Sequence, residues 1–149
     1  MSAFRVYLRV VSADLLPEQI SGHLGVEPDE SHAAGSRKWP GAAPRRESTW
    51  IRRAEATEAG GRPEHVEPVI LGWGLDFARK LGLLVESSDA VASLEIVQKI
   101  RDLDDTQAKG IFLSADLMAW LSTARSSLDI DQYILHDCDE AREGVQAGS

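Results

Sequence analysis

Apolar and polar residues alternate from Phe4 to Ser12, placing Phe4, Val6, Leu8 and Val10 on one side and Arg5, Tyr7 and Arg9 on the other. A period of two belongs to a strand with one buried face. The next segment, DLLPEQISGHLG, changes period. Leu16, Ile20 and Leu24 recur at helical spacing, Pro17 lies near the start, and Gly25 stands where a left-handed cap would end a short helix. STWIRRAE reads as a second strand, closed by a turn at Gly60 and Gly61. Val66, Ile70, Trp73, Phe77, Leu81 and Leu84 then recur every three or four residues, which predicts one long amphipathic helix from about Pro63 to Leu81. Gly72 and Gly74 each weaken it by about 1 kcal/mol relative to Ala.

The second half repeats these periods. Leu94, Ile96 and Ile100 alternate with Glu95, Lys99 and Arg101 as a third strand, and GIFLS (110–114) reads as a short fourth. In SADLMAWLSTAR, Ser114 can cap a helix whose apolar face carries Leu117, Trp120, Leu121 and Ala124, with Asp116 at its positive end. Leu128, Ile130 and Ile134 alternate with Asp129, Asp131 and Tyr133 as a last strand. The order β-α-β-α-β-β-α-β predicts an α+β fold, a ferredoxin-like two-layer sandwich with a mainly antiparallel sheet and its helices on one face. The expected domain runs over residues 1–136, with 137–149 as a flexible acidic tail. Were the first and last strands neighbours, Arg5 and Arg9 would lie beside Asp129 and Asp131. Such cross-strand pairs contribute roughly 0.2–1 kcal/mol each. The same face, with Tyr7, Val97 and Tyr133, offers a homodimer surface.

One stretch fits neither period: LGVEPDESHAAGSRKWPGAAPRRESTWIRR, ending at Arg53, which holds Trp39, Trp50 and three prolines. Residues 35–53 carry six basic side chains (Arg37, Lys38, Arg45, Arg46, Arg52, Arg53) against Glu47, a local charge of +5. Residues 102–149 carry three basic side chains against ten acids, a local charge of −7, and the whole chain stands at −8. Opposite charges within one chain predict that the loop lies near the acidic C-terminal region, or else that each patch meets a partner of opposite sign. An acidic total argues against general nucleic-acid binding, which requires several phosphates to be neutralised together.

The 149 residues, 43% hydrophobic and 27% charged, suffice for a self-supporting core. A single cysteine, Cys138, excludes an internal disulfide framework. Arg5 and Arg9 interrupt the only apolar stretch near the N-terminus, so no signal peptide or membrane span is expected, and the expected location is the cytoplasm.

Candidate chemistry is sparse. His23, His32, His65 and His136 are scattered, and His136 with Cys138 supplies only two ligands of a four-ligand metal site. The acidic neighbours of Cys138 raise a thiol pKa and so disfavour a nucleophile. GSRKW lacks P-loop spacing, no dinucleotide fingerprint is present, and Asp104 and Asp105 sit in a predicted turn. No catalytic residue, cofactor or metal is therefore expected. In the basic loop, Gly35, Arg37, Lys38, Trp39, Trp50 and Arg52 form the candidate ligand or partner site. Arg–Trp stacking there is worth about 0.5–2 kcal/mol. The alternative for its tryptophans is to pin the loop to the core. Asp129, Asp131 and Glu140 form the candidate acidic partner surface.

The sequence LGVEPDE, followed by Gly35, Trp39 and Trp50, a long helix after a variable loop, and the closing pair LSADLMAWL and LDIDQYIL resemble the bacterial family known as domain of unknown function 4279, over about residues 4–135. The resemblance implies a small cytoplasmic protein, in some members similar to immunity proteins of bacterial conflict systems, and brings no catalytic residue with it. The PGAAPRR insertion and the Asp-Gln-Tyr close depart from that pattern. Two functions are then expected. One is a non-catalytic protein-binding module, immunity-type among the options, whose acidic surface meets a basic partner. The alternative is a sensor or enzyme whose basic loop closes over a small anionic ligand.

Overall fold

The structure, a computed structural model, describes residues 3–54, 62–100 and 110–134. Strand β1 (Ala3–Ser12) leads to helix α1 (Pro17–Leu24), the three-residue strand β2 (Glu30–His32) and β3 (Ser48–Arg53). A 3-10 turn (Pro63–Val66) precedes α2 (Glu67–Gly72) and α3 (Leu75–Ser87), followed by β4 (Val91–Ile100), α4 (Ala115–Ala124) and β5 (Ser126–Ile134). The strands form one sheet in the order β2-β3-β1-β4-β5. All neighbours are antiparallel except β4 and β5, which run parallel because α4 carries the chain back across the sheet.

The period-two reading of β1 holds. Val6, Leu8 and Val10 are buried, and they meet Trp50, Leu94 and Ile96 together with Ile20 and Leu24 of α1, Phe77 and Leu81 of α3, and Leu117 and Trp120 of α4 in a single core. The helices therefore cover one face. Gly25 adopts φ 72° and ends α1 with its N–H donated to the Ser21 carbonyl at 2.7 Å. Ser114 caps α4 by accepting from the Leu117 N–H at 3.1 Å.

Other expectations need correction. The mixed sheet does not have the ferredoxin-like strand order, and the helix expected over 63–81 is three pieces. Its break lies at Gly74, whose φ of 91° is open to glycine but not to the leucines around it. The Gly74 carbonyl, at the start of α3, accepts the Ala78 N–H at 3.3 Å and also the Trp120 indole N–H at 3.2 Å. Trp73, Phe77 and Trp120 then cluster with ring centroids 5.9–6.2 Å apart, so the break seats an aromatic group between α2, α3 and α4.

GIFLS is not a strand. The N–H groups of Phe112 and Ser114 go instead to the carboxylates of Glu64 (3.0 Å) and Glu67 (2.8 Å). Side-chain acceptors from the other segment replace the ladder that its alternation suggested. A recess beside this contact, lined by Val6, Ile70, Leu94 and Leu117, holds only about 10 Å³, room for about one water and too little for a metabolite.

The first and last strands are not neighbours. β4 lies between them, placing Arg5 opposite Val97 and Arg9 opposite Ser93, with Asp129 opposite Glu95 and Asp131 opposite Val97. The predicted direct pairing of Arg5 and Arg9 with Asp129 and Asp131 is thus replaced by an arrangement across three strands. The turn at Gly60 and Gly61, the acidic turn at Asp104 and Asp105, His136, Cys138, Glu140 and the tail lie outside the described residues.

Candidate functional site

The sheet face opposite the helices carries the odd-numbered residues of β1 and β4 and their partners. Across its middle run Arg53, Tyr7, Glu95 and Asp129 in register. Alternation alone sends Glu95 to this side, yet its exposure is only 8%. It therefore sits among its neighbours on the open face, with the more exposed Asp129 beside it on β5.

Burial pushes the Glu95 carboxyl above the ordinary glutamate range, and the hydrogen bond and charge of Asp129 push the same way. The Ser93 hydroxyl and the Arg9 guanidinium pull against them. Two carboxyl groups side by side hold a proton more tightly than either would alone. Further along β5, the Tyr133 hydroxyl donates to Asp131 at 2.9 Å, and that bond raises the Tyr133 pKa. Asp129 and Asp131 remain exposed, so the β5 end of the face presents two carboxylates beside Glu95, with Lys99 of β4 opposite Tyr133 and with Arg5 and Arg9 on β1, one strand beyond β4.

The sign of this arrangement is testable. Because Glu95 binds its proton more tightly folded than unfolded, its favourable contribution is complete below the ordinary glutamate pKa and is lost as pH rises through the elevated folded value. Glu95→Gln should therefore raise the Tm at neutral pH, and the gain should shrink as the solution is acidified toward pH 4. Thermal unfolding of both proteins across that range checks it. Asp89 has the opposite sign. It accepts from the Ser12 hydroxyl and from the N–H groups of Ala13 (2.8 Å) and Asp14 (3.2 Å), and the Ser12 bond leads in lowering its pKa. Asp89→Asn should lower the Tm at neutral pH, and the deficit should close in acid as the native carboxylate is protonated.

The basic loop lies at the other edge, between β2 and β3. Gly35 (φ 84°) donates to the Arg45 carbonyl at 2.7 Å, and Arg45 donates back to Ser36 at 2.8 Å, so a small hairpin forms within the loop. Arg37 donates to the Ala42 carbonyl at 2.5 Å, Lys38 lies 5.8 Å from the Trp39 ring centroid, and Trp39 is 58% exposed. Trp50 is apart from them. It is fully buried, and its indole N–H meets the Ser21 hydroxyl at 3.0 Å.

Arg52 points to the helix side, with its guanidinium 4.6 Å from the Trp73 centroid and 5.0 Å from that of Phe77. Burial lowers its pKa, against the pull of Asp29. Of the six residues read as one loop site, Gly35, Arg37, Lys38 and Trp39 come together, whereas Trp50 and Arg52 serve the core and its rim. Among the described residues no three His, Cys, Asp or Glu side chains are placed to hold a metal.

Of the ten acids in 102–149, Asp116, Asp129 and Asp131 lie among the described residues, and the two on β5 are far from the basic loop. Four inter-strand steps separate β2 from β5, about 19 Å at the usual spacing. That exceeds the screening length of about 8 Å at physiological salt. Sequence reading missed Glu95, treating it as one more solvent-facing acid of β4. The signal was a carboxylate inside the apolar run SLEIV, but its company on β5 depends on a register that no single segment encodes.

No helix among the described residues is long and apolar enough to cross a membrane. No curated protein and no solved structure matches the chain. The family model for a domain of unknown function, DUF4279, matches residues 2–135, and the chain belongs to that family.

Proposed function

We propose that this protein is a non-catalytic protein-binding module that docks a basic partner on the β5 end of its open sheet face. The observation carrying the reading is the Glu95–Asp129 pair, with Asp131 beyond it, on a face that no described helix covers. Each exposed carboxylate is available to a lysine or arginine, with Glu95 one strand further in. Charge complementarity of this kind fixes orientation and accelerates encounter. An immunity-type protein, which silences a basic partner by covering it, is one form of this reading.

Capture by the immobilised full chain tests it. A partner retained by the native protein should be released by added salt, and the Asp129→Lys/Asp131→Lys variant should bind it about tenfold or more weakly, since like charges then face each other. Lys38→Glu/Arg46→Glu, at the other edge, should leave that affinity unchanged. The reverse pattern would assign recognition to the basic loop and an acidic partner or anion.

A further inference from the structure

The two edges of the sheet are finished differently. At one end, β2 is only three residues long and carries Glu30, which pairs with His32 and Arg53 at 3.2 and 3.4 Å. Short, charged edge strands resist further pairing. At the other end, β5 runs for nine residues, and no described element pairs with its outer side. Along such an edge, alternate N–H and C=O groups point outward.

Its side chains alternate as cleanly as its backbone. Asp129 and Asp131 occupy one face, while Ile130 and Ile134 occupy the other at 42% and 49% exposure. Gln132, between the isoleucines, is held by Gln98 at 3.0 Å. A second copy of the chain is a poor occupant. Antiparallel pairing of β5 with itself would set aspartates against aspartates, which is destabilising for directly opposed like charges. The β2 edge of another copy is too short and carries an acid. A strand with basic side chains on one face and apolar ones on the other satisfies all three features at once: the free backbone groups, the acidic row and the exposed isoleucines.

We infer that the outer edge of β5 accepts an extended segment of a partner protein as a sixth strand, its alternate side chains basic and apolar. The inference rests on the docking reading above and names its geometry. Basic side chains of the incoming strand lie toward Asp129 and Asp131, with Glu95 one strand further in. The apolar ones cover Ile130 and Ile134.

Amide hydrogen exchange on the full chain tests it, with a blocked seven-residue peptide alternating Lys and Val as the probe. In the free protein, β5 amides pointing toward β4 should exchange slowly and the intervening ones fast. The peptide should slow the fast set about tenfold or more, as cross-strand hydrogen bonds form. A peptide of the same composition with its lysines and valines in separate blocks should not, nor should one with Glu in place of Lys. Asp129→Asn/Asp131→Asn should weaken the effect while the β1 amides stay protected, which shows that the variant remains folded.

Slow exchange of every β5 amide in the free protein at high dilution would overturn the inference, because the edge would already be occupied. So would equal protection by the block peptide, or none at millimolar concentration of the alternating one. If the peptide fails while partner capture still depends on Asp129 and Asp131, strand addition falls and docking stands. If both fail, docking falls too.

Discussion

Replacing Trp50 by Ala should cost about 3–5 kcal/mol of stability, the range for emptying a large aromatic site in a packed core. The indole is fully buried between the sheet and α1, where it meets Ser21 and the α1 residues Ile20 and Leu24 share its core. Truncation removes that packing and also strands the Ser21 hydroxyl, whose relative exposure is 7%. Chains of this size have about 5–15 kcal/mol in total, so about a fifth or more of the stability would be lost. The expected fall in Tm is on the order of 10 °C. Trp50→Phe, which keeps most of the volume but loses the donor, should lie between. A chemical denaturation series on the three proteins checks the order. If Trp50→Ala unfolds at the native midpoint, Trp50 does not anchor the strand to α1.

Gly82→Ala should destabilise despite alanine's better helix propensity. Gly82 lies inside α3 where α4 crosses it, and a Cβ there would fall 2.3 Å from the Thr123 carbonyl oxygen. Neither backbone can yield locally, so the helices must move apart and loosen the contacts of Leu81 and Ala124 beside them, both at 0% exposure. Overpacking of this kind costs about 1–3 kcal/mol, which outweighs the roughly 1 kcal/mol that alanine gains in a helix interior. Gly72, with open space around it and an ordinary φ, is the control. Gly72→Ala should be neutral or slightly stabilising by the same propensity argument. Urea unfolding of both variants separates the two positions. Equal effects would mean that propensity, not the helix crossing, governs Gly82.

Gly72 and Gly82 look alike in the sequence, and only the fold tells them apart. Hydrophobic period placed β1, α1, α4 and β5, because each has one apolar face whose spacing is set by the element itself. It misread 63–81 as one helix, since a single φ of 91° at Gly74 breaks the chain's direction without disturbing the apolar spacing on either side. It misread GIFLS because two glutamates some 47 residues away supply the hydrogen-bond acceptors that a neighbouring strand would have provided. Strand order was the largest loss. Nothing within β5 states that its partner is β4, so the expected neighbourhood of Arg5 and Arg9 with Asp129 and Asp131 gives way to Val97 and Ser93 beside the arginines and to Glu95 and Val97 beside the aspartates. The loop fared in the same way. Gly35, Arg37, Lys38 and Trp39 are close in sequence and in space, but Trp50 and Arg52 are strand residues, and strand alternation sends both to the helix side.

In the function proposed above, the acidic end of the open face, rather than the basic loop, meets the partner. A residue-resolved NMR shift map of the full chain titrated with tetralysine separates the two surfaces. Saturable shifts are expected at Glu95, Asp129 and Asp131 that fade with added salt, with the amides of residues 35–46 undisturbed. Shifts scattered over all exposed acids, Glu27 and Asp76 as much as Asp129, or none at Glu95 and Asp131, would contradict it.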